Sequence, residues 1–351
     1  MFARKQSLIG IDIGSSYIKL VRLKGIKQDY ELGIFEMLPI QPGIVTDGAI
    51  TDKEKLIKAL NELLQKANIS KGQVSIGLSG QSSVIIKKIS LPIMTEAELS
   101  LSIKYEAEQF IPFDLNAVTL DFHIIGSSPN ADNMMDVLLV AANKDLLNAY
   151  VDVINQTGCE PGVIDINLFA LCNMHEINYD TSKDRNLALL NVGASSTSIN
   201  IIQKGSPIFF RESQIGSNHH TEVLESTFNL PREDAERLKK GFPIEGISPE
   251  KAQNVINKAS DEIYAEIYRS LEIFRSNVYN EEVNKIILSG GAALIKDFSA
   301  LMSQRIDMEV EIADPFRKIV VPDKLNPSYI REIGPIAAVA VGLALRQAGD
   351  K

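Results

Sequence analysis

The strongest constraint on this chain is that its opening segment recurs in its second half. The run LIGIDIGSSYIKLVRL starts at Leu8, and LALLNVGASSTSINII starts at Leu187. Each reads as an apolar strand, a polar residue, a glycine turn rich in hydroxyls and a second strand, so one supersecondary unit is used twice. A third β-rich run follows each hairpin, Glu31 to Leu38 in the first half and Pro207 to Ser213 in the second. Two three-stranded meanders, each followed by helical patterns, predict two lobes of related α/β architecture, and a length of 351 residues suits two lobes.

Between the copies, Lys55 to Ala67 carries Leu56, Leu60, Leu63, Leu64 and Ala67 at helical spacing, and a strand follows at Val74 to Leu78. Residues 84–157 change pattern. A helix opens on the Thr95 and Glu98 capping box and turns Leu99, Ile103 and Phe110 inward; strands at Val118 to Ile125 and Met134 to Ala141 flank the polar turn SSPNADN; a helix from Lys144 to Ile154 closes the unit. This reads as an inserted subdomain. After the second meander come helices at Thr221 to Phe228 and Arg232 to Lys240, the latter stopped by Gly241. Pro249 starts a helix of about eight turns with Ile256, Ile263, Ile267, Leu271, Phe274 and Val278 as its apolar stripe. A strand at Lys285 to Leu288, a glycine pair, a short strand at Val310 to Ala313 and a helix at Ile336 to Arg346 complete the chain.

Three glycine turns carry the candidate chemistry. In the first, Gly14 lets backbone amides approach phosphate oxygens, Ser15 and Ser16 add hydroxyl donors, and Lys19 adds a point charge. Asp12 ends an apolar strand, where a carboxylate beside polyphosphate holds Mg2+ through water. Taken alone, the turn reads equally as an ordinary hairpin closed by polar residues. The repeat at Asn191, Gly193, Ser196 and Thr197 favours the phosphate reading, because two such turns clamp a polyphosphate from opposite lobes. The third turn, Gly290-Gly291-Ala292, lies between a strand and a helix, where bare glycines let a flat base lie on the backbone.

The net charge of −9 leaves no broad basic face for nucleic acid. No apolar run reaches transmembrane length, so a cytoplasmic protein with no direct membrane insertion is expected. Cys159 and Cys172 have no metal spacing and read as buried thiols. His219 and His220 are expected in solvated or capping positions at a helix start; they and the other two histidines, His123 and His175, form no metal or nucleophile constellation.

The two hairpins, the GGAA turn and the closing REIGPIAAVAVGLALR resemble the phosphate-1, phosphate-2, adenosine and connect-2 motifs of the actin, Hsp70 and sugar-kinase superfamily. Within it, the segments ISLPIMTEAELSLSIKYEAEQFIPF, EPGVIDINLFAL, FFRESQIGSNHHTEVL and EDAERLKKG are most similar to the PilM family of type IV pilus assembly proteins, relatives of the cell-division protein FtsA. The resemblance covers essentially the whole chain. It implies an α/β, actin-like two-lobed fold with duplicated sheet-plus-helices domains and an inserted 1C subdomain. Residues 1–83 and 158–185 would form lobe 1 (1A), joined by a closing helix at 333–347; 84–157 the insert (1C); 186–215 and 280–332 lobe 2 (2A); and 216–279 a helical subdomain (2B).

The resemblance further implies ATP and Mg2+ as cofactors. Asp12, Gly14, Ser15, Ser16 and Lys19 match the first phosphate loop, Gly193, Ser196 and Thr197 the second. Glu236 and Lys239 match the Glu-x-x-Lys pair on ribose and adenine, which without the match is a solvated helix face. Gly290, Gly291 and Ala292 cover the adenosine, while Gly334 and Ala338 permit close helix packing. The chain departs from the family pattern at Asn191, where an aspartate is usual; an amide adds no charge for metal or water, so ATP binding is a firmer expectation than hydrolysis, which would be slow at most. Asp165 stands where sugar kinases place a base and reads either as a water-orienting residue or as the cap of a helix at Ile166 to Met174, the cap being favoured.

Three functions are compatible with this reading. A scaffold would grip the N-terminal cytoplasmic tail of PilN between lobe 1 and the insert and, through protein partners at the inner face of the inner membrane, meet pilus motor ATPases and other platform proteins, with self-association open. An FtsA-like filament former would need an amphipathic tail after the last helix, for which the sequence shows no room. A small-molecule kinase is disfavoured by Asn191 and by the ambiguous role of Asp165.

Overall fold

The computed structural model describes residues 8–26, 29–128, 132–180, 186–203, 205–277 and 281–350. Its first sheet is built on β1 (Ile9–Ile13), β2 (Tyr17–Ile26) and β3 (Asp29–Pro39), an antiparallel meander. A small hairpin, β4 (Val45–Thr46) with β5 (Ala49–Ile50), leads to α1 (Lys53–Lys66), whose Asp52 cap accepts the Lys55 amide at 3.1 Å. β6 (Gln73–Leu78) then joins β1 in parallel.

The insert continues the chain as β7 (Val84–Pro92), α2 (Glu96–Ala107), β8 (Val118–Ser127) and β9 (Met134–Asn143), with β9 in the middle of a three-stranded sheet. Its capping box forms as the sequence predicts: the Thr95 amide donates to Glu98 Oε2 at 2.7 Å, and the Glu98 amide donates to Thr95 Oγ1 at 3.3 Å. Leu99, Ile103 and Ala107 of α2 pack on Ile89, Val137 and Leu139 as a separate apolar cluster. Residues 129–131 of the SSPNADN turn lie outside the described residues.

Helix α3 (Lys144–Gln156) leaves that unit. Leu146, Tyr150, Val153 and Ile154 join Leu56, Leu60 and Ile76 in the core beneath the first sheet, so α3 packs beside α1. β10 (Glu160–Ile166) completes this side by pairing parallel with β6, and α4 (Asn167–Asn178) comes directly after it.

The second sheet repeats the plan with β11 (Asn186–Val192), β12 (Thr197–Gln203) and β13 (Ser206–Ser213) as the meander. α5 (Asn218–Phe228), α6 (Arg232–Lys239) and α7 (Pro249–Asn277) form the helical side. Val278, expected on the α7 stripe, lies outside the described residues, while Ile256, Ile263, Ile267, Leu271 and Phe274 are all buried. β14 (Lys285–Ser289), α8 (Phe298–Ile306) and β15 (Glu309–Ile312) finish the sheet. Strand order in the two sheets is the same: β3-β2-β1-β6-β10 in one and β13-β12-β11-β14-β15 in the other. The sequence repeat is therefore a repeat of topology.

Elements late in the chain tie the halves together. β16 (Ile319–Val320), from the second half, adds to the outer edge of β3 in the first sheet. After the short α9 (Pro327–Glu332), residues 334–337 form a 3-10 turn, and only then does α10 (Ala338–Ala344) begin, later and shorter than the sequence predicts. α4 and α10 lie between the sheets in one apolar cluster with Val21 and Leu23 of the first sheet and Leu187 and Leu189 of the second. Glycine sets how close they come. A Cβ on Gly342 would stand 1.7 Å from the Ala170 carbonyl oxygen, and one on Gly10 2.3 Å from the Ala340 oxygen. Gly334 has a milder constraint, 3.3 Å from Pro315 Cδ.

Candidate functional site: a cleft between two matched hairpins

The two turns have the same internal geometry. The Gly14 amide donates to the Tyr17 carbonyl at 3.1 Å, and the Gly193 amide to the Ser196 carbonyl at 2.9 Å. Their tips meet: Ser195 Oγ lies 2.9 Å from Ser15 Oγ. The cleft that the sequence predicts is therefore bounded on one side by each hairpin.

The hairpins differ in charge. Asp12 faces Lys19 across the β1–β2 ladder, and Lys19 Nζ is 2.7 Å from Asp12 Oδ2, with both side chains largely buried. The matching positions in the second hairpin are Asn191 and Ser198, which also oppose each other, so an ion pair in one lobe becomes a neutral pair in the other. Asn191 Oδ1 accepts the Ser289 hydroxyl at 3.4 Å. It also sits 2.8 Å from where a Cβ on Gly290 would be, and Gly290 has φ +89°, so two separate constraints require glycine there. A Cβ on Gly291 would meet open space, leaving that face of the turn free.

The second hairpin leans on a helix start. Its Gly193 and Ala194 carbonyls accept the Ser217 and Asn218 amides at 2.9 and 2.8 Å, and a Cβ on Gly216 would come within 2.6 Å of the Ala194 oxygen. Gly216 is thus part of the cradle, and the only sign of it in the sequence is a glycine just before α5. Thr197 is buried and donates to the Ile215 carbonyl at 2.7 Å, which holds this turn on its support.

Glu236 and Lys239 are not a solvated face. Lys239 is 8% exposed and donates to Glu236 at 2.7 Å, to Thr221 Oγ1 at 2.8 Å and to the Ser217 carbonyl at 3.3 Å. Burial is the largest influence on the Glu236 carboxyl and works to raise it, but the Lys239 charge, the hydrogen bonds from Lys239 and Thr221 and the Lys240 charge together outweigh it and hold the group below its ordinary range. His220 beside them, expected to be solvated or capping, is fully buried, with Nε2 2.9 Å from Ser260 Oγ. Burial pushes its pKa down to about 4. Of the cysteines, Cys159 is buried and Cys172 only partly.

Asp165 does not act as the expected cap. Helix α4 has no side-chain cap at Ile166; the Asp165 carboxylate accepts the Ile166 amide at 2.8 Å and lies 3.5 Å from Arg346 Nη1. Burial raises its pKa, and Arg346 offsets only part of that. Two residues on, Asn167 faces a cavity of about 280 Å3 shared with Ser79, Gln81, Asn191, Ser198 and Glu212. Further contacts close the lobes at this end. Gly80 donates to Glu212 Oε2 at 3.2 Å, Gln81 Nε2 to the Glu212 carbonyl at 2.6 Å, and Gln214 Nε2 to Asp47. Elsewhere along the cleft, Lys240 Nζ reaches Tyr17 OH at 3.2 Å.

The donor set fits a nucleotide: hydroxyls of the glycine turns from both lobes, Lys19 beside them, and an open glycine face at Gly291. Among the described residues no group of three or more His, Cys, Asp or Glu could hold a metal ion. One carboxylate, Asp12, is enough for a Mg2+ that takes its other ligands from phosphate and water. No helix among the described residues is long and apolar enough to cross a membrane.

Two sheets of one topology, helices wedged between them and paired glycine hairpins across a cleft define an actin-like protein. A solved chain of a PilM–PilN type IV pilus biogenesis complex matches it with a TM-score of 0.87 and 27% identity over 99% of this chain and 100% of that one. FtsA of Borreliella burgdorferi is 20% identical over 96% of this chain and 90% of its own length. MreB5 of Spiroplasma citri, solved with ADP, shares the fold at a TM-score of 0.55 and 14% identity, covering 96% and 94% of the two chains. Residues 10–348 match the family described as type IV pilus assembly protein PilM, and the chain belongs to that family.

Proposed function

We propose that this protein is an ATP-binding cytoplasmic scaffold of the type IV pilus inner-membrane assembly platform. It takes the N-terminal cytoplasmic tail of PilN in the groove between lobe 1 and the insert, and links it to the pilus motor ATPases and other platform proteins. The observation that carries the partner is the whole-chain likeness to a solved chain of a PilM–PilN complex. The observation that carries the nucleotide is the meeting of the two glycine hairpins at Ser15 and Ser195. When bound, Mg2+ supplies charge neutralisation at the phosphates, with Asp12 as its carboxylate and Lys19 as a fixed cation. Gly14, Ser15, Ser16, Gly193 and Ser196 cradle the phosphates, Thr197 braces the second turn, and Gly290, Gly291 and Ala292 lie along the base. Glu236 and Lys239 approach the ribose and adenine.

The test is a titration of the full chain with a peptide of the PilN tail, with and without Mg-ATP. Binding in at least one state is expected; its absence in both removes the scaffold reading. The whole-length likeness to FtsA favours a second reading, a filament-forming cytoskeletal ATPase. Sedimentation separates the two, since nucleotide-dependent pelleting without peptide binding supports the filament.

A further inference from the structure

Asn191 leaves the second hairpin without a carboxylate, yet the cleft holds another one. Glu212 on β13 stands opposite Ser198 on β12, which stands opposite Asn191 on β11. Directly opposed residues of antiparallel strands point to one face of the sheet, so Asn191, Ser198 and Glu212 form a row. All three line the cavity of about 280 Å3, and Asn167 enters it from α4. In the first sheet the corresponding row runs Asp12, Lys19, Met37. The acid has moved from the first position of the row to the third.

Glu212 is held from both lobes. Its Oε2 accepts the Gly80 amide of lobe 1 at 3.2 Å, and its carboxylate accepts the hydroxyl of Ser196, a residue of the second hairpin. The group is therefore in place when the lobes are together, and it is linked to the turn proposed to hold phosphate. Burial raises its pKa, the Gly80 and Ser196 hydrogen bonds oppose that rise, and the Asp47 charge adds to it. A carboxylate raised in this way is a better proton acceptor at neutral pH than one in water.

We propose that Glu212 orients the attacking water and accepts its proton when a nucleoside triphosphate bound in this cleft is hydrolysed, with Asn167 and Ser198 lining the water's cavity. The inference rests on the nucleotide-binding reading above. The water oxygen forms a bond to the γ-phosphorus as the bond from that phosphorus to the bridging β,γ oxygen breaks. The electron pair leaves with the nucleoside diphosphate, and the water proton passes to the Glu212 carboxylate and then to solvent.

The experiment compares the wild type with Glu212→Gln and Glu212→Asp in three measurements: Mg-ATP affinity, single-turnover phosphate release, and hydrogen exchange at the Gly80 amide. Glu212→Gln keeps an oxygen for Gly80 and loses the base. Its turnover should fall at least about tenfold, against the 10²–10⁴-fold general range for such groups, while ATP affinity stays within about threefold and Gly80 stays protected. Glu212→Asp, which keeps the charge on a shorter arm, should give intermediate turnover. Unchanged turnover in Glu212→Gln overturns the proposal, and so does a wild type that binds Mg-ATP without releasing phosphate. If Gly80 protection is lost in the Gln variant, the Asp variant decides: turnover no higher than in Glu212→Gln overturns the proposal. A wild type that binds no Mg-ATP removes the nucleotide reading itself, an outcome the affinity measurement separates from the others.

Discussion

Ser15 and Ser195 are 180 residues apart in the chain, yet their hydroxyls lie 2.9 Å from each other. The contact joins the tips of two hairpins that share one internal hydrogen-bond pattern, and it marks the line along which the lobes meet. An elongated, charged ligand lying on that line would meet hydroxyls of both hairpins.

Asp12→Ala should weaken Mg-ATP binding by about tenfold, the order expected when one charged contact worth about 1.4 kcal/mol is lost. The loss should shrink when Mg2+ is chelated, since Asp12 would then have no metal-bound water to hold. Calorimetric titration with and without a chelator checks this; equal losses in both conditions would mean that Asp12 serves only to orient Lys19.

Asn191→Asp restores the charge usual at the second hairpin beside Ser289 and Gly290. Phosphate release should rise several-fold over the wild type. A rate that stays flat shows that the missing carboxylate does not limit turnover.

Gly342→Ala should destabilise the fold without touching the cleft residues. Its new methyl would stand 1.7 Å from the Ala170 carbonyl oxygen, a backbone atom that cannot rotate away. α10 must then part from α4, at a cost of about 3 kcal/mol, near the upper end of the usual overpacking range. Denaturant unfolding measures it, and a change under about 0.5 kcal/mol, the scatter of neutral surface substitutions, refutes it.

Acid should destabilise the protein through its buried histidines. Burial holds both His175 and His220 at about 4, down from the ordinary 6.5. Between those values the unfolded chain binds protons that the folded chain does not, so this contribution is complete above pH 6.5 and lost as pH falls toward 4. Each histidine accounts for about 3 kcal/mol at most. In His220→Gln, the difference in unfolding free energy between pH 7 and pH 4.5 should be smaller than in the wild type; an unchanged difference would show that His220 titrates normally.

Much of the architecture is legible in the sequence because it is written in local patterns. The hairpin repeat, the Thr95 capping box and the apolar stripe of α7 each depend on residues a few positions apart, and each is found where the spacing puts it. The start of α10 is not: the apolar run from Ile336 reads as helix, but Gly334 to Ala337 winds as a 3-10 turn, with Gly334 set against Pro315 and Phe316. His220 reads as solvated or capping because the groups packed on it come from far along the chain, Ser260 of α7 from 40 residues away and Phe298 of α8 from farther still. Asp165 reads as a cap because the residue that draws its carboxylate away, Arg346, lies at the far end of the chain.

By itself the sequence determined two related lobes, an insert between their elements, and a pair of glycine turns in which one carries Asp12 and the other Asn191. Tertiary structure alone decided that these turns touch, that α3 belongs to the core under the first sheet, and that Glu212 joins Asn191 in one cavity. The physical reason is that a turn's shape is set by the conformational limits of neighbouring residues. Which side chains share a cavity is set instead by strand order, register and the distance at which Gly342 lets α10 settle against α4.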